Sequence, residues 1–223
     1  MAPWPRPTVH YQDDALLVLE KPPGLLCVPG KGPDKQDCLS ARAQHWWPDA
    51  LVVHRLDMAT SGLLLMARTL EVQRQLGSAF ANQHIHKQYE AIVWGHLDPP
   101  DAADSAGEPW GTINLPIAAD WERRPLRVVD TLHGKPSTTL WRVLAQGDMH
   151  QHTPCTRVAL RPLTGRTHQL RVHMAALGHP IVGDALYAPT HPASPRLLLH
   201  ARQLTLQHPI TGQTMQWDSP PVF

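Results

Sequence analysis

The sequence predicts an α+β fold: a largely antiparallel mixed sheet with flanking helices and loops. Three observations point there. Short apolar or alternating runs recur at 14–20, 62–67, 87–94 and 156–161. Only two segments, 69–84 and 168–177, carry the spacing of an amphipathic helix. Strands and helices do not alternate regularly, as a parallel α/β sheet would require.

Each element has a local reason. The run from Asp14 to Glu20 is apolar throughout its middle and reads as a buried strand. Lys21-Pro22-Pro23-Gly24 ends it, because proline fixes φ and glycine permits φ > 0. Residues 62–67 read as a second buried strand. In 69–84, Leu70, Gln73, Leu76 and Phe80 share one helical face behind Thr69 as N-cap. Residues 87–94 suit a strand with Tyr89, Ala91 and Val93 on one side, and 98–110, rich in Asp, Ala and Pro, suit an exposed loop. After the strand at 156–161, a turn over Leu163–Thr167 leads into a helix from His168 to Leu177. Leu170, Met174 and Leu177 form its apolar face, and Gly178 ends it.

Composition narrows the function classes. The chain has 223 residues, 42% apolar and 17% charged, which suits a globular protein of one domain over 1–223. No apolar run approaches the roughly 20 residues of a membrane span, and the N-terminus lacks a signal-peptide core. Three widely spaced cysteines suit free thiols in a reducing compartment, so the expected location is the cytoplasm. A net charge of +1 excludes a strongly basic coat protein but leaves room for a local basic groove.

Several residues carry candidate chemistry. Asp57 sits in His54-Arg55-Leu56-Asp57-Met58-Ala59-Thr60-Ser61-Gly62, a polar turn opening onto an apolar strand. Taken alone, it reads first as a turn aspartate bonding nearby amides, and second as a nucleophile or base kept ionised by an arginine. Arg166 lies on a glycine turn at a helix N-terminus, where anions are attracted; a solvated helix start is an equally good local reading. Tyr89 in isolation is a packing residue. The 15 histidines include short pairs such as His84-x-His86, but none has the further ligands a zinc site needs, so no metal is expected. No glycine-rich phosphate loop is present, so no nucleotide cofactor is expected either.

Together, these segments resemble the RluA family of pseudouridine synthases. The resemblance rests on Leu16–Leu25 with its Lys-Pro-x-Gly turn, on His54–Gly62, and on Gly165-Arg166-Thr167-His168-Gln169-Leu170-Arg171-x-His173 through Tyr187, and it spans about Val9 to Phe223. It implies the family's catalytic fold, no cofactor, and isomerisation of RNA uridine to its C-glycoside. Asp57 then matches the catalytic aspartate, Arg166 its arginine partner and Tyr89 the active-site tyrosine. His54, Arg55, Leu170 and Arg171 match substrate-binding positions, with Arg55 able to hold or replace a flipped base. Only 53 residues precede His54, leaving no room for an N-terminal S4-type domain. That places the chain beside the family's short single-domain branch and implies stem-loops of 23S rRNA and a tRNA anticodon as substrates, for an enzyme expected to be monomeric. The alternatives are an inactive RNA-binding protein of the same fold and a histidine-based metal hydrolase.

Overall fold

A computed structural model describes residues 4–100 and 110–223. In chain order its elements are β1 (Val9–Gln12), β2 (Leu16–Lys21), α1 (Leu39–Trp46), β3 (Leu51–Val52), β4 (Ser61–Ala67), α2 (Leu70–Ala81), β5 (His86–Trp94), β6 (Gly111–Asn114), β7 (Ile117–Ala119), β8 (Arg127–Val129), β9 (Thr138–His150), β10 (Thr153–Pro162), α3 (Gln169–Ala176), β11 (Leu199–Gln207) and β12 (Thr214–Asp218). The chain, for which the sequence predicts one domain, gathers into two compact units. Unit 1 is Met1–Lys87 with His200–Val222, and unit 2 is Gln88–Leu199 with Phe223. The α+β class and the antiparallel bias are as expected.

In unit 1 the strands run β1-β2-β4-β11, with β12 on β11 and β3 on β4. All these pairings are antiparallel except β4 with β11, which is parallel at His200↔Ser61 and Ala201↔Gly62. β4 is buried along its whole length, which is why Leu63–Met66 has no polar alternation. Its core joins Leu16, Val18, Leu63, Leu65, Val72, Leu76, Leu204 and Leu206.

Thr69 caps α2 as expected, its Oγ1 accepting the Val72 amide at 3.2 Å. The buried stripe differs from the expected one. Val72 and Leu76 face the core, with Ala79 and Phe80 packed beside them, while Leu70 is 60% exposed in the first turn. The helix also stops at Ala81, short of 84, because Gln83 takes a left-handed φ of 61°.

Unit 2 holds an antiparallel sheet, β5-β10-β9-β6, and a separate ribbon of β7 and β8. β5 is buried on both faces from Tyr89 onward, so its apparent one-sidedness is lost. Ile92, Trp94, Cys155, Val182, Ala188 and Leu198 form a core cluster. β10 is longer than the alternation at 156–161 suggests because β9, thirteen residues long, pairs with its full length. α3 packs against β8, β9 and β10. Its first turn is preceded by His168 in left-handed conformation, and Leu177 is exposed at the C-cap rather than on the apolar face. Of the loop expected over 98–110, residues 101–109 lie outside the described residues. Among the described residues, no helix is long and apolar enough to cross a membrane.

Candidate active site

In unit 1, the segment entering β4 is held by its backbone. The Thr60 amide donates to the Asp57 carbonyl at 3.1 Å, closing the turn expected from Asp-x-x-Thr. Met58 offers its carbonyl to two donors, the Gly24 amide and the Lys21 ammonium, both at 2.9 Å. Lys21 is fully buried, and its Nζ also donates to Pro22 O and Leu25 O at 2.8 Å each. Three carbonyls thus receive three ammonium hydrogens. The Lys-Pro-Pro-Gly turn is thereby fastened to the residue after Asp57.

The residue before Asp57 is fastened by a thiol. The Leu56 amide donates to Cys27 Sγ at 3.1 Å, and Sγ donates back to Leu56 O at 3.2 Å. Burial pushes the Cys27 thiol above its usual pKa, so it stays protonated and able to donate. Cys27 is itself tied to α1, its carbonyl accepting the Ser40 amide at 3.0 Å. Asp57 is half-buried between the two anchors, and Arg55 beside it is exposed.

His54 has a structural job. Its Nε2 accepts the Leu65 amide at 3.0 Å, and its ring lies 4.7 Å from that of Phe80. Burial, reinforced by the Lys87 cation, lowers its pKa to about 3. The imidazole is therefore neutral at physiological pH, with its proton on Nδ1, since Nε2 must accept. Lys87 sits over Phe80, its Nζ 5.4 Å from the ring centroid, and burial lowers its own pKa.

Unit 2 carries the other candidates. Tyr89 is buried on β5, opposite Leu160 of β10. Arg166 is exposed on the Gly165 turn, with Nε donating to Pro136 O at 3.2 Å. Gln169 shapes that turn. Its Oε1 accepts from Thr164 Oγ1 (2.8 Å) and the Arg166 amide (3.0 Å), while Nε2 donates to Thr138 O and Thr139 Oγ1 (both 3.0 Å). Thr139, having accepted, donates its hydroxyl hydrogen to His173 Nδ1 at 2.9 Å, and His173 Nε2 donates to Leu115 O at 3.0 Å. Burial lowers the His173 pKa, in keeping with this neutral tautomer.

Arg171 and Leu170 are both buried. The Arg171 guanidinium forms a bidentate pair with Asp184, with both bonds at 2.7 Å. Asp184 Oδ1 also accepts the amides of Leu186 (3.0 Å) and Tyr187 (3.1 Å), so the pair orders the loop carrying Tyr187. The Tyr187 hydroxyl accepts the Arg127 amide at 2.9 Å and donates to His168 Nδ1 at 2.8 Å. Sequence reasoning offered Arg171 as a substrate-binding position; in the structure its guanidinium is buried and paired with Asp184. It missed the roles of Cys27, whose partner lies 29 residues away, and of Asp184, which pairs with Arg171 thirteen residues back across a helix end and a turn. Among the described residues, no three His, Cys, Asp or Glu side chains gather as metal ligands.

The comparisons agree on one family. The RNA pseudouridylate synthase family matches residues 15–176. The chain is 45% identical over 217 residues to the dual-specificity RNA pseudouridine synthase RluA of Pasteurella multocida, covering 96% of this chain and 93% of that protein. It is 43% identical to RluA of Escherichia coli K12, with the same coverage. Among solved structures, human RNA pseudouridylate synthase domain containing 1 superposes with a TM-score of 0.76 at 29% identity, covering 97% of this chain and 84% of that one. Human domain containing 4, at 24% identity and a TM-score of 0.70, shares the fold. With a signature turn anchored on both sides of its aspartate, and with relatives this similar over nearly its whole length, the chain belongs to the RNA pseudouridylate synthase family.

Proposed function

We propose that this enzyme converts specific uridines of structured RNA to pseudouridine, with Asp57 as the reacting carboxylate. One observation carries the reading: Leu56 and Met58, on either side of Asp57, are each pinned through their main chain by two bonds. A nucleophile held this way loses little freedom on reaching the transition state.

The chemistry needs an ionised carboxylate. It attacks C1′, attacks C6 of the ring, or removes the 2′ proton. The N1–C1′ bond breaks, the uracil turns, C5 bonds to C1′ as the carboxylate gives up the bond or proton it took, and the C5 proton is lost to a base while N1 gains one. By the resemblance, Arg166 is the arginine partner of the reacting aspartate, and Tyr89 stacks on the uracil and assists loss of the C5 proton. The uridine leaves its stack first, and Arg55, exposed beside Leu56, is the residue that fills the gap. His54, Leu170 and Arg171 support the site from within the fold.

The relatives are named dual-specificity enzymes, which suggests two RNA substrates here; the sequence resemblance implies that these are a 23S rRNA stem-loop and a tRNA anticodon stem-loop, recognised by an induced loop shape. Three buried cysteines outside any disulfide suit the reducing cytoplasm, and the resemblance implies a monomer.

Replacing Asp57 tests the reading. Asp57→Asn keeps the shape and removes the charge, so tritium release from 5-tritiated uridine in a stem-loop RNA should fall by roughly a thousandfold or more, with an unchanged circular dichroism spectrum. Appreciable turnover by this variant would remove Asp57 from the role.

A further inference from the structure

Unit 2 contains a groove of about 650 Å³ that starts at the Arg166 turn and extends over residues given no part in the isomerisation chemistry. Strand β7, Arg127 of β8 and the turn from Asp130 to Lys135 line it, together with Gly165–Thr167. Three of its lining side chains are cations, namely Arg127, Lys135 and Arg166. Its carboxylate, Asp130, is occupied within its own turn, where Oδ1 accepts the amides of Leu132 and His133 at 2.9 Å each. Those amides also hold the Asp130 pKa low. The groove therefore presents positive charge that no lining carboxylate reaches across to neutralise.

Two further observations point to a ligand. Arg127 Nε is buried and has no hydrogen-bond partner among the described residues. A buried donor left this way calls for an explanation, and an anion or water drawn into the groove beside the guanidinium is one. Trp121, also lining the groove, is 71% exposed, although tryptophan is normally among the more buried residues. The Arg124 guanidinium lies 4.1 Å from its ring centroid, so the indole is braced by a cation at the surface. A braced aromatic platform beside clustered cations is the arrangement that takes a single strand of nucleic acid: bases stack on the ring while phosphates meet the charges. Drawing a uridine out of a loop also leaves neighbouring bases unstacked and in need of such a surface.

We propose that this groove binds a single-stranded stretch of the substrate RNA flanking the modified uridine. Trp121 stacks on one unpaired base, and Arg127 and Lys135 contact the adjoining phosphates. The inference rests on the reading of the chain as an RNA pseudouridine synthase and adds the surface that selects looped over paired RNA.

The test uses the full chain, a fluorescein-labelled RNA stem-loop with an unpaired uridine loop, and a fully paired duplex of equal length. Dissociation constants are measured over a potassium chloride series. Trp121→Ala should weaken stem-loop binding roughly five- to a hundredfold while leaving the salt slope unchanged, and Trp121→Phe should recover most of the loss. Lys135→Ala should lower the log–log salt slope by about 0.7 to 0.9, the share of one phosphate. Lys31→Ala, which removes an exposed cation of unit 1, should change neither quantity. Trp121→Ala binding within about twofold of the wild type, or an equal loss on the duplex, overturns the proposal, because stacking requires an unpaired base. A salt-dependent groove indifferent to Trp121 would point to an acidic protein partner and overturns it too. Conversion of the loop uridine by the wild type is scored separately, so failure of the enzymatic reading is distinguishable from failure of the groove.

Discussion

Cys27 and Asp57 lie thirty positions apart, yet the thiol governs where the carboxylate's main chain sits. Sγ both accepts from and donates to Leu56, the residue before Asp57. A serine at 27 offers the same two roles, whereas an alanine leaves a buried amide and a buried carbonyl without partners, at about 1–3 kcal/mol each. Cys27→Ala should therefore lower kcat several-fold with a smaller change in KM, and Cys27→Ser should restore much of it. Equal kcat for all three proteins in single-turnover assays would deny Cys27 a positioning role. In the sequence Cys27 looks like an inert thiol, because its partner is 29 residues away. The Asp57–Thr60 turn is legible, because its bond spans three residues and its residue types favour it.

At the scale of elements, the buried strands and the cap of α2 are the most legible features. Continuous apolar runs and an N-cap threonine act through near neighbours. Gly62 shows what pairing adds. It begins the apolar run with φ at 112°, and a Cβ there would come within 2.4 Å of Ala201 O on β11. The signature glycine is thus required by the parallel β4–β11 pairing as well as by its own backbone. Gly62→Ala should cost about 3 kcal/mol or more, from strain and overpacking together, read as a lower urea midpoint. A midpoint unchanged from wild type would show that β11 yields at this position. The exposed Leu70 and Leu177 are the counterpart: helical spacing places them within the arc of a stripe, but the facing strands decide which part of the arc is covered.

For the whole molecule, buried neutral histidines make stability sensitive to acid. The His54 pKa is depressed from 6.5 to about 3 in the folded state. Between those values the unfolded chain binds a proton that the folded chain does not, so stability rises with pH through that window and falls as the medium is acidified. At pH 5 the loss from His54 is about 2 kcal/mol relative to neutral pH. The lowered His173 acts in the same direction. Thermal melts should show a clear drop from pH 7 to pH 5, and a smaller drop for His54→Gln; equal drops for both proteins would remove His54 as the cause.

The sequence by itself determined the fold class, the two buried strands of unit 1, the turn bearing Asp57 and the family signature. All of these rest on periodicity, on turn chemistry over a few residues, or on ordered motifs. Tertiary structure decided what each polar residue is for. His54 became a fastening for β4, Lys21 and Cys27 the anchors around Asp57, and Arg171 the partner of Asp184, while Trp121 remained exposed beside a basic groove. The physical reason is that burial and long-range hydrogen bonds turn a charged or polar side chain into a structural part, and neither is written in the residue's local context.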